Sequence, residues 1–291
     1  MHYYYRRNRK RIMKKIFLIL TLSLFTSCET DSEQASFLSI QNFDFVDSEN
    51  PSFLSNKNIT DAWITVNGIF IGVFETPSKI PIIASGEPTS DIRISPGIQE
   101  NGISGSRMIY PFYNLYDTTK SLHQGETTII HPETSYKEEA NFKFLNQGTF
   151  ELGNMLQETE NSDTIPFTQS EEVYQGLKSC ALCIDETNNS FQVITIDDFS
   201  FENFPEYVFL EMNFKSSINF KIGLVKNEDL QNKAEHMQIY KSENWKKIYI
   251  NLSQLIIPNI PNSSFQIYFE SNMLDNDSEG CLYLDNIKVV Y

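Results

Sequence analysis

From Asp61 onward the chain alternates apolar and polar residues in short runs, and Gly, Pro or Asn-Gly breaks them at regular intervals. The stretch "AWITVNGIFIGVFE" (62–75) holds two such runs on either side of Asn67-Gly68. Asn-Gly favours the type I′ turn, whose twist matches that of paired strands, so the stretch predicts a β-hairpin. "KIPIIASGEP", "SDIRISPGI" and "QGETTIIHPETSY" continue the pattern. Short strands at this spacing predict a small β-sandwich over residues 59–136. One insert departs from it: "ENGISGSRMIYPFYNLYD" gathers Arg107, Tyr110, Phe112, Tyr113 and Tyr116 in a long connection. It is either a binding loop that offers Arg107, Tyr110 and Tyr113 to a ligand, or a plug that buries its own rings between domains. The charged stretch "SYKEEANFKF" (135–144) reads as a connector.

Beyond it the pattern resumes in "SCALCID", "FQVITI", "YVFLEMNFKS", "INFKIGLVKN", "NWKKIYINLSQLI", "SFQIYFES" and "GCLYLDNIKVVY". In "KKIYINL", Ile248, Ile250 and Leu252 fall on one face and Tyr249 and Asn251 on the other. About eight antiparallel strands predict a jelly roll over 142–291. The fold class is therefore all-β, with two β-sandwich domains. Abundant Phe (22) and Tyr (14) agree with that class, because aromatic and β-branched residues fit a pleated, half-buried surface.

The amino-terminal end follows another rule. Seven basic residues between Arg6 and Lys15 precede the apolar run Ile16–Phe25, and Thr26 and Ser27 then lead into Cys28. Ten residues, nearly all apolar, make a helix of about 15 Å, half a bilayer core, which suits the centre of a signal peptide rather than a membrane span. "FTSC" resembles the lipobox of bacterial lipoproteins, with Phe25 in place of the usual Leu. The resemblance implies removal of residues 1–27 and acylation of Cys28, and Glu29 and Asp31 beside it resemble an export signal to the cell surface. Residues 28–58 then form a lipidated end and tether, in which "FLSIQNFDF" (37–45) also reads as strand. "MKKIFLILTLSLFTSC" is already a complete signal, so Met13 is the expected start.

Charge narrows the partners. Without the seven basic residues ahead of Cys28, 16 Lys and Arg face 38 Asp and Glu, a formal charge near −22. Such a chain repels nucleic acid and anionic lipid headgroups, so membrane attachment falls to the lipid anchor. Cys180, Cys183 and Cys281 remain. "CALC" lacks a second pair to complete a metal site, and residues three apart on a strand face opposite sides, so buried free thiols are the default and a bond from Cys281 to one of the pair is the alternative. No HExxH, GxSxG or phosphate loop occurs, and His123, His131 and His236 have no partner at a known spacing, so the reading is non-catalytic.

Two further resemblances bear on function. "ITVNGIFIGVFETP" resembles the hairpin of PEGA-type surface modules. "NQGTFELGN" (146–154), "WKKIYINLS" (245–253) and "LYLDNIKV" (282–289) resemble, in that order, galactose-binding-like jelly rolls, which include carbohydrate-binding modules of exported bacterial proteins. The second resemblance implies a structural calcium near the first and last strands, with Glu151 and Asp285 supplying oxygens; otherwise the two carboxylates cap turns. It also implies glycan binding. Sugars stack on aromatic faces, yet Trp245 reads as core and Trp63 as a strand residue, which leaves Tyr207, Tyr240 and Tyr249 as the candidates on the jelly roll. The expected protein is anchored in the outer membrane at the cell surface and binds a glycan or another surface component. The alternatives are a protein-binding subunit of an outer-membrane assembly and, third, a glycan hydrolase.

Overall fold

The computed structural model describes residues 35–46, 58–83, 88–272 and 279–291. Cys28 and the signal segment lie outside the described residues. The regular structure among those described is almost wholly strand. The first unit contains β1 (Ser36–Ile40), β2 (Asp44–Phe45), β3 (Asp61–Val66), β4 (Ile69–Glu75), β5 (Ser78–Ile82), β6 (Ser90–Gln99), β7 (Arg107–Ile109), β8 (Tyr116–Lys120), β9 (Thr127–Ile130) and β10 (Glu133–Thr134). The second contains β11 (Phe142–Lys143), β12 (Leu156–Glu158), β13 (Phe167–Gln169), β14 (Ser179–Asp185), β15 (Ser190–Thr195), β16 (Phe209–Ser216), β17 (Phe220–Lys226), β18 (Asp229–Ile239), β19 (Ser242–Asn251), β20 (Phe265–Asn272) and β21 (Glu279–Val290).

In the first unit a sheet ordered β4-β3-β6-β7, with β8 also on β6, packs against a three-stranded sheet ordered β5-β1-β9. Leu38, Ile40, Ile64, Ile80, Ile94 and Ile130 form the layer between them. Asn67 and Gly68 both take positive φ, 48° and 78°, as a type I′ turn between β3 and β4 requires. Two features lie beyond a local pattern. Within the tether, the strand reading of "FLSIQNFDF" is the one found: β1 and β2 belong to the unit, because Leu38 and Ile40 alternate into its core. The unit is also not purely antiparallel: β1 runs parallel to β9, and β10 parallel to β2.

The second unit is an antiparallel jelly-roll sandwich. One sheet is ordered β13-β14-β21-β16-β19, with β11 also on β21; the other is ordered β12-β15-β20-β17-β18. Its core includes Phe150, Phe191, Leu210, Phe220, Phe269 and Leu284. The last strand, β21, is central and pairs with both β14 and β16. Cys183 and Cys281 face each other across that ladder and are joined by a disulfide, which replaces the free thiols expected for this pair. Cys180, on the opposite face of β14, is free and buried in the core, and burial raises its pKa.

The aromatic insert is the plug between the units. Tyr110 and Tyr113 are buried with Ile98, Phe209 and Tyr249, and Phe112, Tyr136 and Tyr207 pack around them. The ring centroid of Tyr110 lies 5.3 Å from that of Phe209 and 4.9 Å from that of Tyr249. A charged group sits inside this apolar junction. Glu211 on β16 is fully buried; its carboxylate lies 2.6 Å from Lys247 Nζ and 3.5 Å from Lys288 Nζ. It accepts hydrogen bonds from the hydroxyls of Tyr110 (2.6 Å) and Tyr136 (2.7 Å). Burial alone raises a carboxyl pKa, but here the two lysines and the hydroxyl donors outweigh it and hold Glu211 down to about 2. Burial in turn lowers Lys247 to about 8.

Candidate functional site

Alternation sorts the six-stranded sheet into two faces. Cys180, Leu182, Leu210, Ile248, Ile250 and Leu284 enter the core. The residues between them point out, and the pairing register aligns them in rows. Glu211 pairs with Tyr249 and with Lys288 in one row, Asn213 with Lys247 and Asp285 in the next, and Lys215 with Tyr283 beyond that. The first unit covers the first row through the junction described above. The other end of the face stays open.

Over the middle row lies the loop between β13 and β14. It has no ladder partner of its own, and side chains of the sandwich hold its peptide N–H groups. Asp285, on β21 and fully buried, accepts from Tyr174 N (3.2 Å) and Gln175 N (3.0 Å) on one oxygen and from Asn286 N (2.8 Å) on the other. Glu151 accepts from Leu177 N (2.7 Å) and Lys178 N (3.0 Å). Gly176 between them has φ of +80°, and a Cβ there would fall 2.3 Å from Glu151 Oε1, so the loop can approach that carboxylate closely only with glycine. Burial pushes the Asp285 carboxyl up to about 7; the three N–H donors oppose the rise, and the charge of Glu151 adds to it.

This arrangement tests the implied calcium. Both carboxylates are turned toward backbone N–H donors, whose polarity repels a cation. Among the described residues no group of three or more His, Cys, Asp and Glu side chains gathers as a metal site. A divalent ion of this kind takes six to eight oxygens. Glu151 and Asp285 as placed do not fit it, and cap the loop instead.

The loop carries Tyr174 onto Trp245 of β19, with ring centroids 5.7 Å apart and planes at 65°. Trp245, read above as core, is instead on the outer face; it shares the parity of Lys247 and Tyr249 and is half-buried. Glu172 of the same loop pairs with Lys215 at 2.6 Å. Next to this pair a groove of about 570 Å³ runs over the outer face, lined by Lys215, Tyr283, Glu172, Glu243, Glu279 and the Cys183–Cys281 disulfide among others. The two rings do not line the groove, but each stands two residues along the chain from a residue that does, Glu172 or Glu243; an open ring face there can stack on a sugar whose hydroxyls bond the polar side chains of the groove.

The residues singled out from the sequence fall elsewhere for the most part. Tyr110, Tyr113 and Tyr249 are buried in the junction, so none presents a free ring to a ligand. Arg107 reaches back to Asp61 (2.8 Å) and to Glu75, which fixes its guanidinium on the first unit. Tyr207 is half-buried against the junction and lines a separate cleft of about 620 Å³ with Phe112, Phe204 and Tyr291. Tyr240 is 72 % exposed and stands just past β18. The outer face of the five-stranded sheet offers no substitute at Tyr268, which is 1 % exposed beneath Lys233. The ring that the sequence reading passed over as core is Trp245, although counting by twos from Ile248 and Ile250 places it opposite them.

No protein-family model matches the chain, and no curated protein gives a match. Among solved structures the chain is similar to TmCBM61 in complex with β-1,4-galactotriose, at 13 % identity over 50 % of this chain and 96 % of that one, with a TM-score of 0.34. It is also similar to a family 29 carbohydrate-binding module (15 % identity, 52 % and 89 % covered, TM-score 0.33). A third similar structure is the family 11 carbohydrate-binding module of a cellulosomal cellulase of Clostridium thermocellum (12 % identity, 46 % and 85 % covered, TM-score 0.31).

Proposed function

We propose that the protein is a lipid-anchored, non-catalytic envelope protein of the outer membrane that binds a glycan through its second unit. The observation that carries this reading is the Trp245–Tyr174 pair beside the groove: half-open rings next to oriented polar side chains form the surface that sugar recognition needs. The first unit, with its PEGA-like hairpin, is the spacer. The anchor rests on the basic, apolar and small-residue order that ends at Cys28, and the acidic residues after it favour the cell surface.

The test is a glycan array probed with the full-length protein and with Trp245→Ala. Binding that the substitution reduces by about tenfold or more fits a ring that anchors the ligand. Equal binding by both proteins removes the groove from consideration. Intact-mass analysis of the native protein checks the anchor, which requires an amino terminus at Cys28 carrying acyl mass.

A second reading has its own support. Ile69 and Phe70 are 68 % and 56 % exposed at the start of β4, and the ring of Phe70 lies 5.9 Å from that of Trp63 on the first unit. Exposed apolar side chains grouped on an edge strand suit a protein partner in an envelope assembly. Co-purification of an envelope protein that Phe70→Ser abolishes, together with silence on every glycan, would favour this alternative.

A further inference from the structure

We propose that Glu151 and Asp285 are positioning residues for the groove, clamping residues 171–178 so that Tyr174 meets Trp245 and Glu172 meets Lys215. The inference rests on the glycan reading for its purpose, but not for its geometry.

The loop has little apolar hold of its own. Leu177 is 76 % exposed and Tyr174 is 39 % exposed. What holds it are polar contacts at successive points. Gln169 Oε1 accepts from Glu171 N (2.6 Å) and Glu172 N (2.8 Å), and Ser179 Oγ donates to Glu172 O (2.6 Å). Asp285 takes the next two N–H groups used, at Tyr174 and Gln175, and Glu151 takes those at Leu177 and Lys178. Two N–H groups converging on one carboxyl oxygen at each point fix the direction of the loop. Both carboxylates belong to the sandwich body. Asp285 is on the central strand β21, and Glu151 follows the turn Gln147–Thr149 whose Gly148 packs tightly against Ile287 of that same strand. The side chains that reach toward the groove are thus borne by a loop, and the rigid element aims them through two carboxyl groups whose bonds go to backbone N–H groups. Releasing either carboxylate frees the ring of Tyr174 while the sheet beneath remains.

The experiment reads Trp245 directly. The chain has two tryptophans, so in a Trp63→Phe background the emission and acrylamide quenching of the remaining one report the Tyr174 contact. Glu151→Ala and Asp285→Ala are expected to shift both readings toward those of Tyr174→Ala, and to weaken array binding by about tenfold. Glu151→Gln keeps an acceptor oxygen and is expected to restore both, a rescue that general destabilisation would not produce. Millimolar calcium or a chelator is expected to change neither; a calcium-dependent emission would overturn the clamp in favour of a bound cation. Unaltered emission in Glu151→Ala overturns it whatever the array shows. Altered emission in a protein whose parent binds no glycan overturns the glycan reading and leaves the clamp standing. Should Asp285→Ala fail to fold, the Glu151 pair of variants decides alone.

Discussion

The six-stranded sheet presents one outer face that serves two ends differently. At the first-unit end, Phe209, Glu211 and Tyr249 are sealed under Tyr110 and Tyr113, with one carboxylate and two lysines fully enclosed. At the other end Lys215, Tyr283 and Trp245 stay partly in water beside a groove. The residue classes are the same: tyrosine, lysine and a carboxylate occur at both ends. Their energetics are opposite, because an ion pair without water must be satisfied completely, whereas one at a surface is free to exchange partners with solvent or ligand. What separates the two ends is whether another element covers them, and residue type alone does not reveal that.

This comparison can be broken most forcefully at Glu211. Glu211→Ala leaves Lys247 and Lys288 enclosed without their counter-ion, and such a change costs about 3–5 kcal/mol. Urea unfolding of the variant should show that loss; a change below about 1 kcal/mol would mean that the junction opens to water in solution. The next largest effect is on recognition. Trp245→Ala should reduce array binding by about tenfold without moving the unfolding midpoint far, whereas Tyr110→Phe should cost about 1.5–3 kcal/mol of stability, as for hydrogen bonds to charged groups, and leave binding intact.

The pH dependence sharpens the same contrast. Glu211 is held down to about 2 in the folded protein, against an ordinary value of 4.5. A lowered carboxyl pKa contributes stability that is complete above the unfolded value and is lost as pH falls through the folded one. Stability from this group should therefore decline between about pH 4.5 and pH 2, and an acid titration of Glu211→Gln should lack that component. The smallest effect belongs to an ion pair in water. Arg93 and Asp117 meet at 2.9 Å with both side chains more than half exposed. Asp117→Asn should alter stability by less than about 1 kcal/mol, and added salt should shrink even that.

Much of the architecture was legible because strand alternation and turn chemistry are local. The Asn67-Gly68 hairpin is found where the sequence placed it, and so are the runs that became β14, β17, β20 and β21. Strand β18 was missed: "DLQNKAEHMQI" lies at a sheet edge, is mostly polar and exposed, and shifts register against β17, so it carries no period of two. Strands β1 and β2 were marked only by "FLSIQNFDF" within the tether, because their partners lie far along the chain, β5 about forty residues on and β9 and β10 about ninety, beyond the range of a local pattern. The site was less legible. Tyrosines were picked as ligand candidates for their chemistry, and Tyr110, Tyr113 and Tyr249 proved to be the glue of a junction that only tertiary packing defines. Trp245 was set aside as core for its size, although the parity of Ile248 and Ile250 already turned it outward. The Cys183–Cys281 bond needed the β14–β21 register, which spacing alone does not supply.

The early start of β1 has a consequence for reach. Only seven residues separate Cys28 from Ser36, the first residue of a strand at the centre of its sheet. Stretched fully, that leash spans about 28 Å, less than the thickness of a bilayer core. A protein fastened to a membrane through that cysteine would skim the surface, and whatever it captures would have to come down to it.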